Sequence, residues 1–195
     1  MVFYTGTAMN DADLAKIYKP LYSWQTRLVE LHPGGVKAEL QCSLHIADVI
    51  VGEGFGLPAL SRAQSYEAIS YAWGQPERTA SIRCNDQHLL VPSALLEALT
   101  ALRFQSKARW LWCDAICIAQ HDPHEKAAQV RMMFDIFSKA DRTLAWLGAP
   151  TPELRRAFQH INNVAVSYAE TFGTAHSRVE ESLNVISRRS WFSRI

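Results

Sequence analysis

The sequence predicts an α/β fold: a mostly parallel sheet flanked by helices, with β-hairpin additions on its N-terminal side. Two observations carry that expectation. From Tyr66 onward, short apolar segments alternate with amphipathic ones, and parallel neighbours need helical crossovers of this kind. Two pairs of strand-like segments are also separated by turn residues, the mark of hairpins. Composition agrees. At 195 residues, 48% apolar, the chain can bury a core of its own. Twenty basic residues against nineteen acidic ones leave a formal charge of +1, so nothing calls for nucleic acid or an anionic membrane as partner.

Thr26–Leu31 alternates and stops at Pro33-Gly34-Gly35, after which Ala38–Ile46 alternates again. These read as two strands joined by a turn. Val51–Ser65 holds three glycines and a proline and reads as a loop delivering the chain into Tyr66–Trp73. That segment is aromatic, ends at Gly74-Gln75-Pro76, and has the character of a buried strand leaving the core. Ser81–Cys84 and His88–Val91 flank Asn85-Asp86, residues that tolerate positive φ, so a second hairpin is expected.

Ser93 is expected to cap a helix whose Leu95, Leu96, Leu99 and Leu102 recur on one face. Trp110–Cys113 is a short apolar strand ending at Asp114. The next helix has the clearest start signal. Asp122 is a good N-cap, Pro123 sits where a missing N–H costs nothing, and Glu125 completes a capping-box-like arrangement. Val130, Met133, Phe134 and Phe137 are its expected buried stripe. Thr143–Leu147 is a further strand, closed by Gly148 and Pro150, and Thr151-Pro152-Glu153 opens a helix lined by Leu154, Phe158, Ile161 and Ala165.

No apolar run approaches the roughly 18 to 20 residues that cross a bilayer, and Met1–Asn10 lacks the basic and apolar regions of a signal peptide. A soluble, cytoplasmic protein is expected. Cys42, Cys84, Cys113 and Cys117 form no CxxC pair and are read as reduced, buried thiols. His121, His124 and Cys117 match no usual zinc spacing, so no metal is assigned. Gly52, Gly54 and Gly56 imitate a phosphate-binding loop but lack the Lys-Ser or Lys-Thr that would follow. Arg188, Arg189 and Arg194 are read as a solvated face. Asp114, directly after an apolar strand, must find partners or solvent; its structural role would be to accept the backbone N–H groups of Ile116 to Ile118.

Several blocks keep an unusual order and spacing: Trp112-Cys113-Asp114, Cys117-Ile118-Ala119-Gln120, Asp122 with Glu125, Gln129-Val130, and Trp146-Leu147-Gly148. Together they resemble the heterokaryon-incompatibility (HET) domain family of filamentous fungi, over roughly Thr26 to Ile195, with residues 1–25 as an N-terminal extension. Two departures are Ala119, where the family usually has Asn, and Lys126, where Arg is common. Ser190–Ile195 resembles the start of a block that in the family runs on to Trp and a Gln-Glu pair, so a C-terminally incomplete domain is expected.

The resemblance implies a module that triggers regulated cell death in fungal non-self recognition, through homotypic or heterotypic protein partners. HET domains in turn resemble TIR domains, which implies a flavodoxin-like sheet with a ligand pocket at the C-terminal ends of its central strands. Ser70, Tyr71, Trp73 and Gly74 would form one rim, and Asp114, Cys117 and Gln120 the other. Tyr71 or Trp73 would stack on a base and Asp114 would bind a ribose; the alternative is that both aromatics are core residues. NAD is then the implied substrate, with Asp114 and Glu125 as candidate carboxylates for an oxocarbenium-like centre, although a Glu at the third helical position more often caps the helix. No bound cofactor is expected. Signalling without catalysis, NAD hydrolysis on oligomerisation and an inactive truncated chain all stay open at this level.

Overall fold

The computed structural model describes residues 10–49, 64–72 and 80–168, with side chains to 163. Trp73, Gly74, the three loop glycines and the C-terminal arginines lie outside the described residues, as does the Ala165 side chain. Helix α1 (Asp11–Ile17) is followed by β1 (Gln25–Leu31), β2 (Gln41–Asp48), β3 (Glu67–Tyr71), β4 (Ala80–Cys84) and β5 (Gln87–Val91). Then come α2 (Ser93–Leu102), β6 (Arg109–Trp112), the single turn α3 (Asp114–Cys117), α4 (Pro123–Lys139), β7 (Arg142–Trp146) and α5 (Pro152–Tyr168).

The strands form one seven-stranded sheet in the order β5-β4-β2-β1-β6-β3-β7. The α/β class stands, but the mostly parallel sheet is corrected to a mixed one. β1 pairs antiparallel with both β2 and β6, β4 pairs antiparallel with β5, and only β2/β4 and β3/β6 are parallel among the described pairings. Nor are the hairpins additions. β1 occupies the middle of the sheet, and Thr26, Arg27, Leu28 and Val29 are all buried. Within the alternating Thr26–Leu31 segment Thr26 and Arg27 are buried; Thr26 Oγ1 and both Arg27 Nη groups bond side chains of α4, whereas Arg27 Nε is buried without a hydrogen-bond partner among the described residues, so a central strand carries polar residues.

Local signals explain most boundaries. Asn85 and Asp86 take positive φ (47° and 63°), making the β4–β5 hairpin turn. Between β1 and β2, the Arg103 guanidinium at the end of α2 donates to the carbonyls of Gly35, Ala38 and Glu39. A Cβ at Gly34 would stand 3.0 Å from that guanidinium, so the turn passes Arg103 too closely for a side chain without displacement. Ser93 does not cap α2: Pro92 holds the N-cap position without a side-chain bond, and Ser93 is the first helical residue. Leu95, Ala98 and Leu99 form the buried face of α2.

In α4 the buried stripe is Gln129, Met132 and Ile136. This corrects the expected Val130, Met133, Phe134, Phe137 set, for Val130 is 50% and Phe134 81% exposed. The helix is rotated because Gln129 faces the sheet, where it bonds Thr26 and the Gln25 carbonyl; hydrophobicity alone picks the neighbouring stripe. Phe137 does meet the core, edge-on to Trp112 at 5.4 Å. All four cysteines are free and buried. A hydrogen bond with Cys84, then burial, pushes the Cys42 thiol well above its ordinary range, and Cys117 and burial do the same to Cys113.

The chain divides into two compact units, Met1–Ala145 and Trp146–Ile195. In the second, Thr151 caps α5 through its hydroxyl, and Leu154 and Ala157 are buried with Leu147 and Ile161 packed on them. Phe158, expected on that stripe, is 46% exposed. No described helix is long and apolar enough to cross a membrane.

Candidate functional site

The parallel pair β3/β6 is in register with Ala68 beside Trp112, so its C-terminal ends deliver Ser70 and Tyr71 on one strand and Asp114 on the other to the same edge. Tyr71 is 1% exposed and Cys117 fully buried, while Ser70, Asp114 and Gln120 are half-buried. These expected site residues therefore come together, two of them as core.

The segment after β6 is held from within. The amides of Ile116 and Cys117 donate to the Cys113 carbonyl, and that of Ile118 to the Asp114 carbonyl. Gln120 Nε2 donates to the same Asp114 carbonyl at 2.8 Å. The Asp114 carboxylate accepts from Ala115 N–H at 2.8 Å, so the expected clasp on Ile116 to Ile118 is corrected. Backbone carbonyls of a helical turn already take those donors.

Glu125 is the main structural acceptor here. Its two oxygens receive Arg27 Nη1 and Nη2 at 2.7 and 2.9 Å, and Ala119 N–H reaches it at 2.7 Å. Arg27 also donates to the carbonyls of Cys117 (3.1 Å) and Lys19 (2.5 Å) and lies over the Tyr18 ring. Asp122 caps α4 by accepting from His124 and Glu125 N–H, and those bonds lower its carboxyl pKa. The reciprocal half of a capping box is missing: Asp122 N–H donates to Ala119 instead, leaving Glu125 for Arg27. A second buried chain runs from Trp112 Nε1 to Thr26 Oγ1 (3.1 Å), on to Gln129 Oε1 (2.7 Å), with Gln129 Nε2 on the Gln25 carbonyl (2.6 Å).

The opposite ends of the same strands open into a cleft of about 530 Å³. Segments 64–67, 107–110 and 141–142, with Phe104, line it where the chain enters β3, β6 and β7. Asp141 N–H donates to the Tyr66 carbonyl, and Glu67 accepts from Arg109 Nε at 2.5 Å and from Arg142 Nε. The Arg109 bond, then Arg142, holds the Glu67 carboxyl below the usual glutamate range against the opposing effect of burial. Tyr66 donates to the Ile136 carbonyl and, mainly through burial, is pushed up to about 12. Lys107 Nζ and the Arg109 guanidinium lie 4.9 and 4.7 Å from the Phe104 ring centroid. Neither this cleft nor Arg27 was anticipated from sequence. The available signal was a charged residue at the first position of three apolar strands, Glu67, Arg109 and Arg142. Among the described residues no group of His, Cys, Asp and Glu could hold a metal ion.

No solved structure matches. Heterokaryon incompatibility protein 6, OR allele, of Neurospora crassa is 32% identical over 177 residues, which cover 84% of this chain and 24% of that protein. The chain thus spans about a quarter of the length of the relative it matches. Residues 66–195 match the family described as heterokaryon incompatibility protein (HET), and with more than half of its length so matched, the chain belongs to the HET family.

Proposed function

We propose that this chain is an incompatibility signalling domain, which acts in the cytoplasm and triggers regulated cell death when homotypic or heterotypic protein partners engage it. The observation that favours signalling over catalysis is the direction in which the family blocks spend their polar groups. Glu125, Gln129 and the Cys117 carbonyl are consumed by Arg27, Thr26 and the backbone. A carboxylate held by a bidentate guanidinium and an amide is a poor proton carrier and is well suited to fixing a loop. The relative's name, an incompatibility protein, fits the same reading.

The second reading is a TIR-like NAD glycohydrolase assembled by oligomerisation. What favours it is that β3 and β6 are parallel and bring Ser70, Tyr71 and Asp114 to one C-terminal edge, where open α/β sheets bind ligands. One experiment separates the two. The full chain is induced in a filamentous fungus and scored for vital-dye uptake and colony arrest, while purified protein at high concentration is incubated with NAD. Death without nicotinamide release supports signalling; nicotinamide release replaces it with the hydrolase. Unimpaired growth at confirmed expression would sink the signalling proposal.

A further inference from the structure

The cleft at the amino ends of β3, β6 and β7 carries an imbalance that the fold does not use. Its charged lining comprises Lys107, Arg109 and Arg142 against Glu67 and Asp141. Glu67 is ion-paired with Arg109 and Arg142, whereas Asp141 accepts from the Ser65 hydroxyl and keeps its charge. Arg109 is committed too, being 9% exposed, with Nε on Glu67 and Nη1 on the Leu102 carbonyl. Lys107 and Arg142 differ. Lys107 is exposed, and its ammonium meets only the Phe104 ring, without a carboxylate among the described residues. The Arg142 side chain is 65% exposed and touches Glu67 through Nε, which leaves both Nη groups of its fork in hand. Three cationic side chains against two carboxylates leave the lining a net charge of +1, with its unused donors on Lys107 and Arg142.

We propose that this cleft is a binding site for a small phosphate-bearing ligand, gripped by the Lys107 ammonium and the Arg142 guanidinium. A phosphate group offers several oxygens and up to two charges. It can thus engage an arginine fork and a lysine point charge together, whereas a single carboxylate is filled by the fork alone. A cleft of about 530 Å³ falls within the range of small-molecule sites. Its mixture of ring surface and charge suits a ligand with a polar head and a compact body. Glu67 gives the site its shape, because its two bonds hold Arg109 and Arg142 on either side of one carboxylate.

The test uses the full chain and pyrophosphate as probe, titrated by calorimetry against sodium chloride at matched ionic strength, with acetate as the carboxylate arm. Saturable pyrophosphate binding is expected. Lys107→Glu and Arg142→Ala should each weaken it roughly tenfold or more, while Lys126→Glu, at an exposed lysine on α4, should leave it unchanged. Because Arg142→Ala also removes a contact to Glu67, circular dichroism and unfolding of each variant without ligand accompany the titration. Lys107→Glu, outside any strand, decides the matter. Absence of saturable heat over chloride, equal weakening by Lys126→Glu, or acetate binding as tightly as pyrophosphate would each overturn the proposal. The measurement has no cell-death readout, so its failure leaves the signalling proposal untouched.

Discussion

At the carboxyl ends of β3 and β6, most polar groups are buried or half-buried and bonded within the fold, the buried Arg27 Nε excepted; at the amino ends of the same strands, charges gather around an open cleft. Arg27 is 1% exposed and makes four hydrogen bonds, while Arg142 has most of its side chain in solvent. The difference teaches where each kind of residue draws its value. A buried, fully paired charge is costly to break, because removing one partner strands the other in a low-dielectric interior. An exposed pair is screened and contributes little to stability. The first arrangement fixes a loop, whereas the second leaves donors for something outside the chain.

The largest effect is expected where the paired end is broken. Glu125→Ala leaves the Arg27 guanidinium buried and short of its acceptor, and should lower unfolding free energy in urea by about 3 to 5 kcal/mol. The double variant Arg27→Met with Glu125→Leu should recover most of that loss, since it removes both charges together. Recovery would show that the single variant's loss comes from the stranded guanidinium; none would show that the loop depends on the pair's particular bonds, as a fixing device requires. Gln129→Leu comes next. It deprives the Thr26 hydroxyl of its acceptor and the Gln25 carbonyl of its donor, at about 1 to 3 kcal/mol in the same measurement.

The amino-end cluster should respond less and through pH. Glu67→Gln keeps an acceptor for the largely buried Arg109 guanidinium but loses the charge that pairs with it, and is expected to cost about 1 kcal/mol at neutral pH. The folded-state carboxyl of Glu67 lies below its ordinary value of 4.5, so its contribution is present above 4.5 and is lost as pH falls through the lowered value. The stability of Glu67→Gln should therefore fall less steeply in that acid range, and parallel acid curves would show that Glu67 adds nothing. The smallest change is expected for Lys107→Glu without ligand, within about 0.5 kcal/mol of the parent. A larger loss would mean that Lys107 belongs to the fold and not to the cleft's surplus.

Much of the architecture was legible in local chemistry. Asn85-Asp86 between alternating segments, Asp122-Pro123 before α4 and Thr151-Pro152 before α5 each act within a few residues, and the structure carries all three. Strand order was not legible, because β1 meets β6 through partners such as Val29 and Leu111 that no local rule connects. The same reason hid the paired end. Arg27 and Glu125 lie far apart in sequence, and an arginine in an alternating strand reads as solvent-facing until its carboxylate is found. Gln129 misled in the opposite sense: a polar residue buried against the sheet shifted the stripe of α4 by one position and left Phe134 in solvent. At the candidate rim, the blocks drew attention to Asp114 and Gln120, yet Arg27, which holds their loop, lies in a strand that precedes the family match.

The central position of β1 sets an order on the nascent chain. When residues 25–48 emerge during synthesis they can pair as a hairpin at once, but the outer edge of β1 must wait for Arg109–Leu111 and that of β2 for Arg83-Cys84. Until then, two unsatisfied backbone edges and the apolar side chains of Leu28 and Val29 stand open to other chains. The strand that ends at the heart of the sheet is made before its neighbour β6, so throughout the interval between translating β1 and translating β6 that edge stays open to pairing with other chains.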